Sequence, residues 1–162
     1  MTTLILILTA TSTALIAGLL YGYTCSVNPG LGRLPANEYL AAMQSINNAI
    51  QNPIFFASFM GTMVLLPLSA YLQYHQGHSL CFILLIAATA IYITGVFGVT
   101  AFGNVPLNEA LDKFNLTTST PAQIVSQKLQ FEQRWQFFHN IRTIAAIISL
   151  VLVIISCCNS RN

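Results

Sequence analysis

The sequence predicts an all-α integral membrane protein: a four-transmembrane-helix bundle with short amphipathic helices in connections one and three. First, 6% of its residues are charged and 55% are apolar, whereas soluble domains carry about 25% charged residues. Second, no Asp, Glu, Lys or Arg occurs between Glu38 and Glu109, and a water-exposed surface needs such hydrated groups. Third, several apolar runs approach the roughly 20 helical residues that cross a hydrocarbon core about 30 Å thick. We interpret residues 1–162 as a single membrane domain.

Four spans are predicted, at about residues 4–23, 53–74, 80–102 and 139–158. Their apolar runs are continuous, whereas a membrane β-strand alternates apolar and polar residues over about 10 positions, so helices are favoured. The fourth run is strictly apolar only from Thr143 to Cys158, and its helix therefore begins upstream of Thr143. A multi-pass protein in contact with the lipid bilayer follows.

Connection one, which joins the first and second predicted spans (residues 24–52), contains a turn-rich stretch and then an amphipathic helix. Val27–Gly32 is rich in Asn, Pro and Gly, which favour turns. A helix is predicted from Asn37 to Ile50, with Asn37 as its N-cap. Its apolar stripe recurs at spacings of three and four residues and consists of Tyr39, Met43, Ile46 and Ile50. Asn52-Pro53 ends this helix and starts the second span.

Connection two is a tight hairpin, and connection three is long. The hairpin is His75–His78. In connection three, Thr120 as N-cap, Pro121 in the first turn and Gln123 three residues later predict a capping box. The helix that begins there is expected to run into the fourth span.

The strongest candidate site is Trp135, His139 and Arg142. Spacings of four and three residues bring all three onto one face of a helix. Ionisable groups at this depth are costly unless they face the bundle interior or a partner. Arg142 and His139 are therefore candidate catalytic residues, His139 as a proton acceptor, and Trp135 is a candidate substrate contact. The alternative is interfacial anchoring by a Trp belt and a snorkelling Arg.

Side-chain amides supply the other candidates. Asn104 and Asn108 follow the third span and could contact a ligand; alternatively, Asn104 caps the end of that helix and Pro106 turns the chain. In connection one, Asn47 could point into a shared cavity beside Gln44, or lie on a solvated helix face.

Several functional classes lack support in the sequence. No basic patch indicates nucleic-acid binding. His75 and His78 have no third ligand nearby in sequence, and no metal site is predicted. The cysteines show neither a C-x-x-C motif nor zinc spacing; they are Cys25, Cys81, Cys157 and Cys158. Signatures of organic cofactors are absent.

Four groups of residues carry a resemblance to a known family. They are Pro29-Gly30-Leu31; Gln44, Asn47 and Asn52-Pro53; Asn104-Val105-Pro106-Leu107-Asn108 with Leu111; and Trp135, His139 and Arg142-Thr143. In this order and spacing the chain resembles the anthrone oxygenase family of small four-span membrane proteins.

The resemblance implies oxidation of an anthrone's activated methylene to a quinone by molecular oxygen, without an organic cofactor. The substrate would be a small apolar aromatic molecule. By this interpretation Trp135 stacks on the ring, His139 takes the proton, and Arg142 with Asn104 or Asn108 holds the oxyanion.

Two other classes of protein remain open. One is a non-enzymatic small subunit of a larger membrane complex, which predicts a bundle interior of little depth. The other is a four-span enzyme that handles lipids or quinones, similar to the glutathione-dependent membrane transferases. Gly18-x-x-x-Gly22 has the spacing of a helix-association motif, so a homo-oligomer is also compatible with the sequence.

Overall fold

A computed structural model describes residues 2–160, and within that range the chain forms seven α-helices, three π-helical segments and no β-strand. In chain order they are α1 (Thr2–Gly22), the first π segment (Tyr23–Val27), α2 (Asn28–Gly32), α3 (Ala36–Ala49), α4 (Pro53–His75), α5 (Ser79–Ile91), the second π segment (Tyr92–Gly98), the third π segment (Thr100–Asn104), α6 (Val105–Asp112) and α7 (Pro121–Asn159).

Four continuous helical stretches are long and apolar enough to cross a membrane: Thr2–Gly32, Pro53–His75, Ser79–Asp112 and Pro121–Asn159. The predicted all-α membrane fold is therefore confirmed. The last stretch has 39 residues, which corresponds to about 58 Å of helix at 1.5 Å per residue. That length exceeds a hydrocarbon core of about 30 Å, so α7 also reaches into the cap formed by connections one and three.

The sequence interpretation of connection one needs two corrections. Val27–Gly32 is helical rather than a turn, so the first span continues through the first π segment and α2 to Gly32. Pro29 lies in the first turn of α2, directly after the first π segment. Asn37 is not the N-cap of α3, because Pro35 holds that position without a side-chain cap.

The third span likewise continues beyond its predicted end at residue 102. Helical structure persists through the third π segment into α6, so the interpretation of Asn104 as a C-cap with a turn at Pro106 is wrong. Pro106 lies in the first turn of α6. Other boundaries agree with the sequence: the Asn52 side chain caps α4, and the Thr120–Gln123 capping box starts α7.

The bundle core is built from a ring of four helices. α1 packs against α4 and α7, and α5 packs against the same two helices. Hydroxyl pairs tie α1 to α4, with 2.7 Å between Thr9 Oγ1 and Ser69 Oγ and 2.8 Å between Ser12 Oγ and Thr62 Oγ1. Such short polar contacts supplement van der Waals packing where lipid removes the hydrophobic drive for helix association.

Two glycines allow the third span to approach α7 closely. A Cβ at Gly95 would lie 2.6 Å from Ala145 Cβ, and a Cβ at Gly103 would lie 2.7 Å from Phe138 Cγ. By contrast, Gly18 and Gly22 have no neighbouring atom within 4 Å of a built Cβ. The close contact within the chain is therefore between the third span and α7.

The cap has its own apolar core, centred on α3. Its buried members are Tyr39, Leu40, Met43, Leu111, Phe131 and Trp135. Gln44 Nε2 on α3 donates to Leu111 O and Phe114 O, at 2.8 and 3.0 Å. Lys128 Nζ lies 4.9 Å from the centre of the Tyr39 ring. Burial, together with the Glu132 carboxylate, raises the pKa of Tyr39, so its hydroxyl is neutral at physiological pH.

Candidate functional site

A cavity of about 480 Å³ lies under the cap, between α1, α4 and the third span. Its floor is apolar and includes Leu20, Phe59 and Val96. Its cap side is polar and receives side chains from α3, α6 and α7. Pockets that bury small organic ligands have volumes of about 300–1,000 Å³, with apolar walls and a few polar groups. The cavity has the size and polarity of a ligand site.

Arg142 is the cation of this cavity. Its guanidinium lines the cavity, and Cζ lies 5.1 Å from the centre of the Trp135 ring, within range of a cation–π contact. Nη2 lies 3.3 Å from His139 Nδ1, while Nε is buried without a hydrogen-bond partner among the described residues. Arg142 is therefore directed inward and retains an unused donor.

His139 is fully buried behind this cation, and it is not among the residues that line the cavity. The hydroxyls of Thr24 and Thr143 lie 3.0 and 3.4 Å from its Nε2, and each donates to a backbone carbonyl. Nε2 therefore carries the proton and donates, whereas Nδ1 accepts from Arg142. In this tautomer the imidazole is neutral and orients the guanidinium.

Trp135 ties α7 to the two asparagines at the end of the third span. Its Nε1 donates to Asn108 Oδ1 at 2.9 Å, and Asn104 Nδ2 donates to its carbonyl oxygen at 3.2 Å. The indole stacks on the His139 ring, with the ring centres 5.0 Å apart and the planes inclined by 10°. The predicted site residues Trp135, Asn104, Asn108 and Arg142 thus all line one cavity.

Three buried polar atoms of cavity-lining residues lack a partner among residues 2–160. They are Asn47 Nδ2, Asn104 Oδ1 and Arg142 Nε. A buried polar group without a hydrogen bond costs about 1–3 kcal/mol, so such groups need an explanation. A bound ligand with both accepting and donating oxygens would satisfy them.

Sequence reasoning missed the aromatic walls of the cavity. Phe55 and Phe59 of α4 stack with ring centres 5.2 Å apart, and Phe97 lies 5.8 Å from Phe59. In an apolar span these residues are indistinguishable from core or lipid-facing side chains. The spacing of four between Phe55 and Phe59 was the available signal, since it brings both rings onto one helix face.

Two carboxylates that line the cavity, Glu109 and Asp112, were also missed. Both are exposed on α6, and Asn48 Nδ2 donates to Asp112 Oδ1 at 3.2 Å. Their spacing of three from each other, beside Asn108, was a usable signal once α6 is known to be helical. Within the described part of the chain, no three His, Cys, Asp or Glu side chains lie together as a metal site.

Comparison with known proteins identifies the family. A family model described as anthrone oxygenase matches residues 55–152, more than half of the chain. The chain belongs to the anthrone oxygenase family. The matched region of this family member contains Asn104, Asn108, Trp135, His139 and Arg142, whereas Asn47 lies outside it. No curated protein and no solved structure matches the chain.

Proposed function

We propose that this member of the anthrone oxygenase family oxidises an anthrone-type polycyclic phenol to the corresponding quinone with molecular oxygen. In that reaction the methylene carbon gains one oxygen atom of O₂ as a carbonyl. The second oxygen atom leaves as water with the two methylene hydrogens. No organic cofactor is part of the proposal, because the substrate anion can itself deliver electrons to O₂.

The observation that carries the proposal is the environment of Arg142. A buried charge is costly unless a partner compensates it. The hydrogen bond that its guanidinium makes among the described residues goes to a neutral imidazole, and its Nε is unused. The carboxylates of the same cavity are on the exposed face of α6. An anion that arrives with the substrate, or forms from it, would supply the missing negative charge.

Deprotonation of an anthrone forms such an anion. The charge left by the methylene proton is delocalised onto the carbonyl oxygen, because the anion is an aromatic phenolate. Arg142 Nε and the amide of Asn47 are free donors that could hold this oxygen. Preorganised donors of this kind stabilise developing charge most effectively in a water-excluded site.

The walls of the cavity suit a flat apolar substrate. The rings of Phe55, Phe59 and Phe97 line it, and aromatic pairs gain about 0.5–1.5 kcal/mol beyond the burial of their area. A non-enzymatic subunit, the main alternative, predicts an interior of little depth. The 480 Å³ cavity therefore favours the enzyme.

We assign His139 a positioning role in place of direct proton transfer. Both of its ring nitrogens contact protein groups, and its ring is sealed from the cavity. Glu109 is the better candidate for proton acceptor, because its carboxylate lines the cavity and is exposed on α6. It can receive the methylene proton and pass it to water.

The test is oxygen uptake and quinone formation by purified protein in detergent, supplied with a simple anthrone. Arg142→Gln removes the cation and leaves a shorter, neutral amide. Arg134→Gln is the matched control, since Arg134 lies on the same helix, is exposed and does not line the cavity. We expect the rate to fall to the spontaneous background in Arg142→Gln and to be unchanged in Arg134→Gln.

Two results would count against the proposal. Equal rates in the wild type and Arg142→Gln would remove Arg142 from the reaction. A wild-type rate no higher than the background would mean that the cavity serves another substrate or none.

A further inference from the structure

The geometry points to entry of the apolar substrate sideways from the bilayer, through a gap between α4 and the third span. Phe56 and Met60 border this gap on α4, and Ala101 and Val105 border it on the third span; we call these four residues the lateral opening. The inference rests on the proposed function only for the identity of the substrate.

The residues of the lateral opening belong to the cavity and to the outer surface at the same time. All four line the cavity. Yet Phe56 is 42% exposed, and Met60 and Val105 are each 39% exposed. A side chain can satisfy both conditions only where the cavity wall is thin or open. The cavity wall toward the lipid-facing surface is therefore thin or open at this position.

Helix packing explains why the wall opens there. α4 packs along α5 and touches the second π segment, whereas the third π segment packs against the second π segment and α7. The beginning of α4 and the end of the third span therefore separate on the cap side. Ile54 and Phe102, which lie on these two diverging stretches, are 82% and 86% exposed. Such exposure of large apolar side chains is expected where they face lipid.

The aqueous side of the cavity is crossed by hydrogen bonds between its walls. There α3 and α6 are bridged by the hydrogen bond from Asn48 to Asp112, and Gln44 donates to two carbonyls near the end of α6. This side is also polar, so water and protons can pass it more readily than a polycyclic hydrocarbon. The lateral opening has only apolar side chains and is therefore suited to the passage of an apolar polycyclic substrate.

The depth of the opening agrees with this assignment. Phe56 and Met60 follow the first residue of α4, Pro53, by three and seven positions, which places them about 5 and 10 Å along the helix. A small amphipathic ring system such as a phenolic polycycle concentrates near the boundary between headgroups and hydrocarbon. The opening is therefore at a depth where its substrate accumulates.

The single tryptophan of the chain allows a direct test without turnover. Trp135 is the only Trp and lines the cavity. Dibromonaphthalene, added in phosphatidylcholine vesicles to protein reconstituted in the same lipid, should quench its fluorescence on contact. This bicyclic probe does not absorb at the wavelengths of tryptophan emission, so it does not quench by energy transfer from the bilayer. Stopped-flow recording gives the rate of entry. Ala101→Phe and Val105→Phe narrow the opening, and Ala90→Phe is the control at an exposed alanine of α5 outside the cavity.

We expect both narrowing variants to slow the quenching several-fold while Ala90→Phe retains the wild-type rate. Unchanged rates in Ala101→Phe and Val105→Phe would overturn the inference, and so would faster entry when Asn48→Ala removes the bridge of the cap. Quenching by brominated phosphatidylcholine chains that unbrominated naphthalene does not relieve would also overturn it, because the occupant would then be lipid. The protein could also show rapid quenching that Ala101→Phe slows, yet have no oxygenase activity. That result would support the lateral opening and contradict only the proposed oxidation of an anthrone.

Discussion

Gly103→Ala should damage the site from a position that does not line the cavity. The new Cβ would lie 2.7, 2.8 and 3.1 Å from three ring carbons of Phe138. The nearest of these atoms is Cγ, which rotation of the ring about the Cβ–Cγ bond does not move. Restoring an ordinary contact of about 3.4 Å requires a shift of about 0.7 Å between the third span and α7, and overpacking of this kind costs about 1–3 kcal/mol.

The neighbouring residue transmits this shift to the site. Asn104 Nδ2 donates to Trp135 O at 3.2 Å, and a displacement of 0.7 Å along that line would lengthen the contact to about 3.9 Å, which is no longer a hydrogen bond. Asn104 would lose the contact that holds its amide in the cavity wall. We therefore expect lower stability and a lower rate of quinone formation in the same variant.

Stability can be measured by titration with sodium dodecyl sulfate, followed by Trp135 fluorescence. Gly18→Ala is the control, because no atom lies within 4 Å of its built Cβ, and Ala is the better helix former. Adding Phe138→Ala to Gly103→Ala should recover most of the loss caused by the clash. The reasoning is refuted if Gly103→Ala is as stable as Gly18→Ala, or if the second substitution recovers nothing.

Three further predictions follow from the hydrogen bonds of the cap and the site. Trp135→Phe removes the 2.9 Å hydrogen bond to Asn108 and should lower the free energy of unfolding by about 1–3 kcal/mol, as measured by circular dichroism. If the losses in Trp135→Phe and Asn108→Ala simply add in the double variant, the two residues are not coupled and the prediction is wrong. His139→Leu should reduce quinone formation more than His139→Asn, which can still accept from Arg142; equal losses would contradict the positioning role. Lys128→Met removes two bonds, of 3.3 and 3.0 Å, to the carbonyls of Gly32, the last residue of the first span, and of Leu34 and should speed amide hydrogen exchange in α3; unchanged exchange would mean that these bonds do not hold the cap.

The spans were predictable because their signal is compositional. Each apolar run requires a membrane helix regardless of its detailed contacts. The short distance between Trp135, His139 and Arg142 was also predictable, since helical spacing alone brings them onto one face. The sequence does not show which of these side chains reaches the cavity. Arg142 lines the cavity, whereas His139 is buried behind it.

The errors have a common physical cause. Val27–Gly32 contains Pro, Gly and Asn, and Asn104–Asn108 contains Pro and Asn; these residues predict turns in water. Each stretch instead begins at the last residue of a π segment, and Pro29 and Pro106 each lie two residues beyond the end of that segment. A wider turn just before a proline relieves the clash between its ring and the preceding carbonyls. The helix therefore continues where propensities for soluble proteins predict its end.

The π segments also suggest how the site could be gained or lost in evolution. A π-helical turn differs from an α-helical turn by one residue in its hydrogen-bonded ring, so a single-codon insertion can create it. Deleting one residue from Thr100–Asn104 would return that turn to α-helix, and Asn108 and Glu109 would keep their orientation, because the wider turn is what accommodates the additional residue. Deleting one residue from Val105–Leu107, which is already α-helical, would instead rotate Asn108 and Glu109 by about 100°. Both would then leave the cavity together, although neither codon had changed. Sequence gaps after the π turn, more than gaps within it, should therefore distinguish relatives that have lost the pocket from those that keep it.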